Sequence, residues 1–452
     1  MAAMKSSQVL LSTEYPGLGR LDSSPPGTFE LTSELLQKNH EKYHMYFRDV
    51  AGHNHIPHSL LTVLAMGGGQ EELKRAYDDG YVIQRPLAPS NPEIFRDLGD
   101  EENFKEHMYT LSEYTNFLAF FEQEIDAKGW KATLNKYCFE RTPFADTMLS
   151  QLYEGLYHPI LHLGFGVEFN QPSLVAEALA HAASHDPGQI QPFFLEAEEL
   201  AGSSSVKPKP LIELYADIRA NQKIREAAWL KDGPLRGKGV LNRAHNELVK
   251  IAAQFQVKPE DLERGTAEMM SCGALTSAAQ KSGKTRKIDF FYLHIVTCSI
   301  FFSVFNQQGW LKTEDKVRLL EWKGRLDLIW YAANGAAEMN IENLINYEPS
   351  LSKGWDWSAI YKGSIDIHDD GHVVKFIRAL KHAEDTVEPF VKKEGAASFP
   401  VNGDIWLKIA QICYDSTATI APDLPGQLSK KWVWGAGFEP PWFQIPDLQN
   451  TV

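Results

Sequence analysis

FFYLHIVTCSIFF, residues 290–302, sets one imidazole inside an otherwise apolar stretch. The run continues to Phe305, short of the ~20 residues that a membrane crossing needs, and it holds His294, Thr297, Ser299 and Ser303. It reads as a helix buried on all sides, with His294 in the interior. A buried imidazole left unpaired costs about 1–3 kcal/mol, so His294 requires an acceptor or a metal ion.

Three other stretches repeat the pattern: GHNHIPHSLL (52–61), YHPILHLG (157–164) and GHVVKFIRALKH (371–382). Histidines at four apolar positions are expected to be one another's neighbours around a common centre, and a metal is the simplest such centre. Helical spacing of apolar residues recurs at 29–47, 58–66, 101–126, 144–168, 172–185, 240–255, 258–280, 287–306, 314–333, 371–389 and 403–415. Clear alternation is almost absent. The expected class is mostly α, a single large multi-helical fold over residues 1–452. Gly202–Pro210 (GSSSVKPKP) is the best sub-boundary. Two histidine stretches precede it and two follow, so a shared histidine-lined site is expected to lie between the halves.

The balance of 45 basic against 59 acidic residues, net −14, argues against nucleic acid or an anionic membrane as partner. Cys138, Cys272, Cys298 and Cys413 are scattered, as expected of reduced thiols in a cytoplasmic protein. The start, MAAMKSSQVLLSTEYPG, lacks the apolar core of a secretory signal. The tail WVWGAGFEPPWFQIPDL (432–448) cannot be a regular helix and is expected to pack its rings across the fold.

Within these stretches, local geometry ranks the candidates. Pro57 suits a first helical turn, so His58 begins a helix while His53 and His55 precede it. His58 is the best ligand candidate, and His55 comes next. His158 and His162 are four apart and share a face, but Pro159 places His158 at or just before a helix start. His158 is favoured as ligand, with His162 as a pocket residue. His372 and Lys375 border the apolar stripe of their helix; a lysine ligates only when deprotonated or converted to a carbamate by carbon dioxide. The pairs His40/His44 and His181/His185 sit on more polar patterns and are expected at the surface. The doublets His368-Asp369 and His185-Asp186 are similar to those of helical phosphohydrolases. No dinucleotide fingerprint is present. The SGKT stretch (282–285) lacks the earlier glycine of a phosphate loop, and no GxSxG elbow occurs.

The stretches 39–86, 157–183, 287–302 and 372–384 together resemble the questin oxidase family, fungal oxygenases of aromatic polyketide pathways. The resemblance runs from about residue 30 to the Trp-rich tail. It implies oxidative ring cleavage of an anthraquinone-type substrate, described as Baeyer–Villiger-like and driven by a nicotinamide cofactor. The missing dinucleotide fingerprint conflicts with direct use of that cofactor. The histidines suggest instead a non-haem Fe(II) centre that activates dioxygen, held by His58, His158, His294 and His372, with Lys375 as a fifth ligand if carbamylated. His162 and His55 are then the acid–base groups, and NADPH a reductant used by this protein or a separate reductase. Phe290, Phe291, Tyr292, Trp432, Trp434 and Trp442 are candidates to line a slot for the planar substrate. Competing readings are a metal-free NADPH-dependent Baeyer–Villiger oxygenase, a hydrolase built on the His-Asp doublets, and a non-catalytic helical scaffold.

Overall fold

The computed structural model describes residues 5–50, 52–278, 281, 283–420 and 428–448; Met1–Met4 of the amino-terminal stretch and Ser282 of the SGKT stretch lie outside them. The fold is mostly α. Among the described residues, extended pairing is confined to isolated bridges such as Tyr46 with His53 and Asp289 with Val433. Among the described residues, no helix is long and apolar enough to cross a membrane.

The chain forms two compact units. The first comprises Met1–Gln191, Gln307–Leu311 and Asp370–His372, and the second comprises Pro192–Asn306, Lys312–Asp369 and Val373–Val452. Gly202–Pro210 joins the helices Ile190–Ala201 and Leu211–Ala220.

In the first unit, the helix Pro172–Ser184 packs against Glu154–Glu168 and Tyr114–Lys128, while Ile56–Ala65 packs against Thr28–Lys42 and Gln70–Tyr81. Every residue of Pro172–Ser184 is buried. Its alanines let neighbours approach on all sides, and Gly166 matches them: a Cβ there would come 3.0 Å from the Val175 amide nitrogen. Of the histidine pairs expected at the surface, three members are therefore interior, with His40 5%, His44 4% and His181 0% exposed, while His185 is half-buried.

Two breaks in helical periodicity have tertiary causes. The first helix stops at Lys42 because His44 and Leu87 pair their amides with the Arg85 and Lys42 carbonyls, both at 2.8 Å. The 101–126 pattern splits into Glu101–His107 and Tyr114–Lys128, where Tyr109 turns to φ 65° and bonds the Ala183 carbonyl at 2.9 Å.

In the second unit, Leu262–Ser277, Phe290–Asn306 and Thr313–Ala333 pack on one another. Asp289 caps the middle helix by accepting from the amides of Phe291 (2.8 Å) and Tyr292 (2.9 Å). The same carboxylate anchors the tail through the amides of Gly435 (2.9 Å) and Ala436 (2.7 Å). Trp434 then stacks on Phe290, ring centroids 4.0 Å apart, and the Trp442 indole donates to the Ala436 carbonyl.

Candidate metal centre

Asn54 fixes the loop that carries the first histidines. Its amide nitrogen donates to the Met45 carbonyl, its side-chain oxygen accepts from the Ile56 amide, and its side-chain nitrogen reaches Asn39. Pro57 then opens the helix Ile56–Ala65, so His55 stands at its N-cap and His58 in its first turn. The second set of histidines follows a strained corner. Gly155, Leu156 and Tyr157 all have positive φ (55°, 58° and 66°), and regular helix begins at His158. Two consecutive non-glycine residues in the left-handed region store backbone strain that the surrounding packing must hold.

That corner decides a tautomer. The His158 Nδ1 lies 2.7 Å from the Gly155 carbonyl, which can only accept, so Nδ1 carries the proton and Nε2 a lone pair. His55 Nδ1 faces Asp370 Oδ2 at 2.9 Å, and His372 Nδ1 faces Asp370 Oδ1 at 2.5 Å. Burial alone raises the Asp370 pKa, but the charges and hydrogen bonds of His372 and His55 hold it well below the usual carboxylate range. An ionised carboxylate accepts only, so both Nδ1 atoms donate to Asp370. The Nε2 atoms of His55 and His158 lie 2.8 Å apart. A proton on one of the two nitrogens, or a cation beside both, holds the rings at that distance. Metal–imidazole bonds of about 2.1 Å set adjacent ligand nitrogens about 3 Å apart. His55, Asp370 and His372 offer ligand atoms all within 4.8 Å of one another.

A second row lies alongside. His58 Nε2 faces His162 Nδ1 at 3.0 Å, and His162 Nε2 donates to Glu177 at 2.6 Å. The other oxygen of Glu177 meets His40 Nδ1 at 2.6 Å, and His40 Nε2 meets Glu122 at 2.8 Å. Burial disfavours charge on His40, yet the two glutamates outweigh it and lift its pKa to about 10. Burial likewise opposes ionisation of Glu177, but His162 and His40 bring it down to about 2.

The first unit thus brings together His55, His58, His158, His162 and His372: the His55 ring lies 5.8 Å from His58, 5.0 Å from His158 and 4.8 Å from His372, and His58 lies 5.1 Å from His162. His294 and Lys375 belong to the second unit, both buried, with His294 Nδ1 donating to the Phe290 carbonyl at 2.8 Å. Asp370 lies in DIHDDGH (366–372). Its neighbour Asp369 instead accepts from the Val373 amide at the start of the helix His372–Glu394. A narrow cleft of about 10 Å3, room for about one water, reaches this region, lined by Phe47, His53, His55, Ile56 and Asp370 among others.

A family model described as questin oxidase-like matches residues 52–380. The chain belongs to the questin oxidase-like family. It is 55% identical over 450 residues to a protein of Aspergillus sp. named Baeyer-Villiger oxidase notM, covering 99% of this chain and 100% of that one. It is 50% identical to the Baeyer-Villiger oxidase ptaJ of Pestalotiopsis fici, covering 99% and 100%. It is 46% identical to the questin oxidase of Aspergillus terreus, covering 98% and 99%. In this questin oxidase-like chain, the matched span includes His53 through Lys375, while His40 and His44 precede it.

Proposed function

We propose that this protein is an oxidoreductase that breaks a ring carbon–carbon bond of a planar, anthraquinone-type aromatic polyketide with dioxygen, at a non-haem Fe(II) held by buried histidines. The observation that carries this reading is the cluster of His55, His58, His158, His162 and His372, with the His55 and His158 Nε2 atoms 2.8 Å apart, in a chain whose relatives are named oxidases. Imidazole donors suit iron, so the residues fit the metal. The proposed ligands are His58, His158, His294 and His372, with Lys375 as carbamate, and the contact of His55 with His158 supports His55 as an acid–base group beside them.

Iron supplies a one-electron route by which triplet dioxygen can react with a closed-shell aromatic. The chain's own residues do the rest. Asp370 orients His55 and His372 by accepting from both Nδ1 atoms, the outer support that ligating imidazoles commonly have. His55 lines the cleft and is placed to move a proton at the substrate. Glu177 holds the proton on His162 Nε2, leaving Nδ1 as the acceptor. The whole chain acts as one functional domain in the cytoplasm, with reducing equivalents from NADPH arriving directly or through a separate reductase.

The test is iron per chain. Protein expressed with ample iron is expected to hold about one iron, lost in His372→Ala and His158→Ala, and bound about 10–100-fold more weakly in Asp370→Asn. His294→Ala decides whether the second unit contributes a ligand. A protein that holds no metal and binds none on addition of Fe(II) overturns the iron reading and leaves metal-free, NADPH-driven Baeyer–Villiger insertion, the alternative that the relatives' names favour.

A further inference from the structure

His181 is fully buried in the last turn of Pro172–Ser184, and neither of its ring nitrogens has a hydrogen-bond partner. A buried polar group in that state calls for a physical explanation, and an ion is one. Its nearest rings are Tyr46, edge-on at 5.1 Å, and two more imidazoles, His53 at 5.1 Å and His185 at 5.7 Å. One ligand nitrogen from each of His53, His181 and His185 falls within 4.8 Å of the others.

We propose that His53, His181 and His185 form a second metal site, for a borderline divalent ion such as Zn2+ or Co2+, separate from the His55–Asp370–His372 group. The His185 Nδ1 donates to the Asp186 carbonyl at 2.9 Å, so its Nε2 carries a lone pair, and that atom faces His53 Nε2 at 3.1 Å. The separation matches adjacent nitrogens on one ion. Burial holds His181 and His185 in the neutral form that metal binding requires. Space beside His185 is kept by Gly155, whose missing Cβ would overlap His185 Nε2. Three imidazoles leave a fourth position for water, the pattern of a reactive rather than a purely structural ion. His53 also lines the cleft, so the site is reached from the same side as His55.

The experiment strips the full-length protein with chelator and titrates it anaerobically with Co2+, reading stoichiometry and the visible bands of four-coordinate cobalt. His181→Leu, His185→Gln and His372→Ala are compared with the parent. Support is one equivalent, with its bands, lost in His181→Leu and in His185→Gln but kept in His372→Ala. This holds whether or not His372→Ala loses an equivalent of its own, so failure of the iron reading shows separately. Unchanged binding in either His181→Leu or His185→Gln, or loss of the same single equivalent in all three, overturns the second site. If His181→Leu does not fold, the partly exposed His185 decides alone.

Discussion

The two units treat buried polar groups in opposite ways. In the second, the Lys323 ammonium bonds both oxygens of Asp327 at 2.6 and 2.7 Å and the Ile295 carbonyl at 3.1 Å, with both side chains 0% exposed. Asp289 is similarly satisfied by four amides. In the first unit, imidazoles face imidazoles, with the His55 and His158 Nε2 atoms 2.8 Å apart, and the His181 ring nitrogens have no hydrogen-bond partner. The ion pair and the capping carboxylate act within the protein to hold helices and tail. The histidine rows set ring nitrogens side by side, which suits a site for an ion. Half-satisfied buried polar groups lower stability, so a fold retains them where function uses them.

The largest effect should come from breaking the satisfied network. Lys323→Met leaves Asp327 buried and uncompensated and is expected to lose about 3–5 kcal/mol, read by denaturant unfolding of the second unit. Pairing it with Asp327→Leu should recover most of the loss; no recovery would mean that the pair acts through more than its charge. Next, Asp289→Ala removes the partner of four amides and should lose about 1–3 kcal/mol. A change in tryptophan emission should accompany it, because Trp434 no longer stays stacked on Phe290.

The His40–Glu177 contact sharpens the comparison from within the first unit, since there charge is compensated. The folded pKa of His40 is raised from 6.5 to about 10, so its contribution is complete below 6.5 and is lost as pH rises through 10. Glu177 is depressed from 4.5 to about 2, so its contribution is complete above 4.5 and is lost as pH falls through 2. Stability from this pair is therefore greatest between pH 4.5 and 6.5. His40→Gln should flatten the alkaline limb in thermal melts across pH; an unchanged limb would place the alkaline transition elsewhere. The smallest effect is expected at His181. In chelator-treated protein, His181→Leu should shift stability by less than about 1 kcal/mol or raise it, because it removes an unsatisfied group. A loss of several kcal/mol would show that the ring is structural.

Much of the helical plan is local and hence legible. Pro57 as a helix opener, His158 at a helix start after an irregular corner, and the buried run from Phe290 all follow from short-range rules and reappear in the structure. The approximate extents of Leu262–Ser277, Thr313–Ala333 and Ile405–Thr417 follow from apolar spacing of 3.6 residues. What misled was polarity at His181 and His185. LVAEALAHAA reads as half-polar, but its small residues allow packing on every side, and Glu177 is buried because His40 and His162 neutralise it. Burial of a charged residue depends on partners distant in sequence, and no local pattern announces them.

By itself, then, the sequence determined the helical class, the burial of His294 and the gathering of His58, His158, His162 and His372 as candidates, since periodicity and desolvation act on each segment alone. Only the tertiary structure decided the tautomers, the part played by Asp370 and the recruitment of His53, His181 and His185. Those depend on which nitrogen faces which oxygen, and that is fixed by contacts such as His55 to Asp370 between residues more than 300 positions apart.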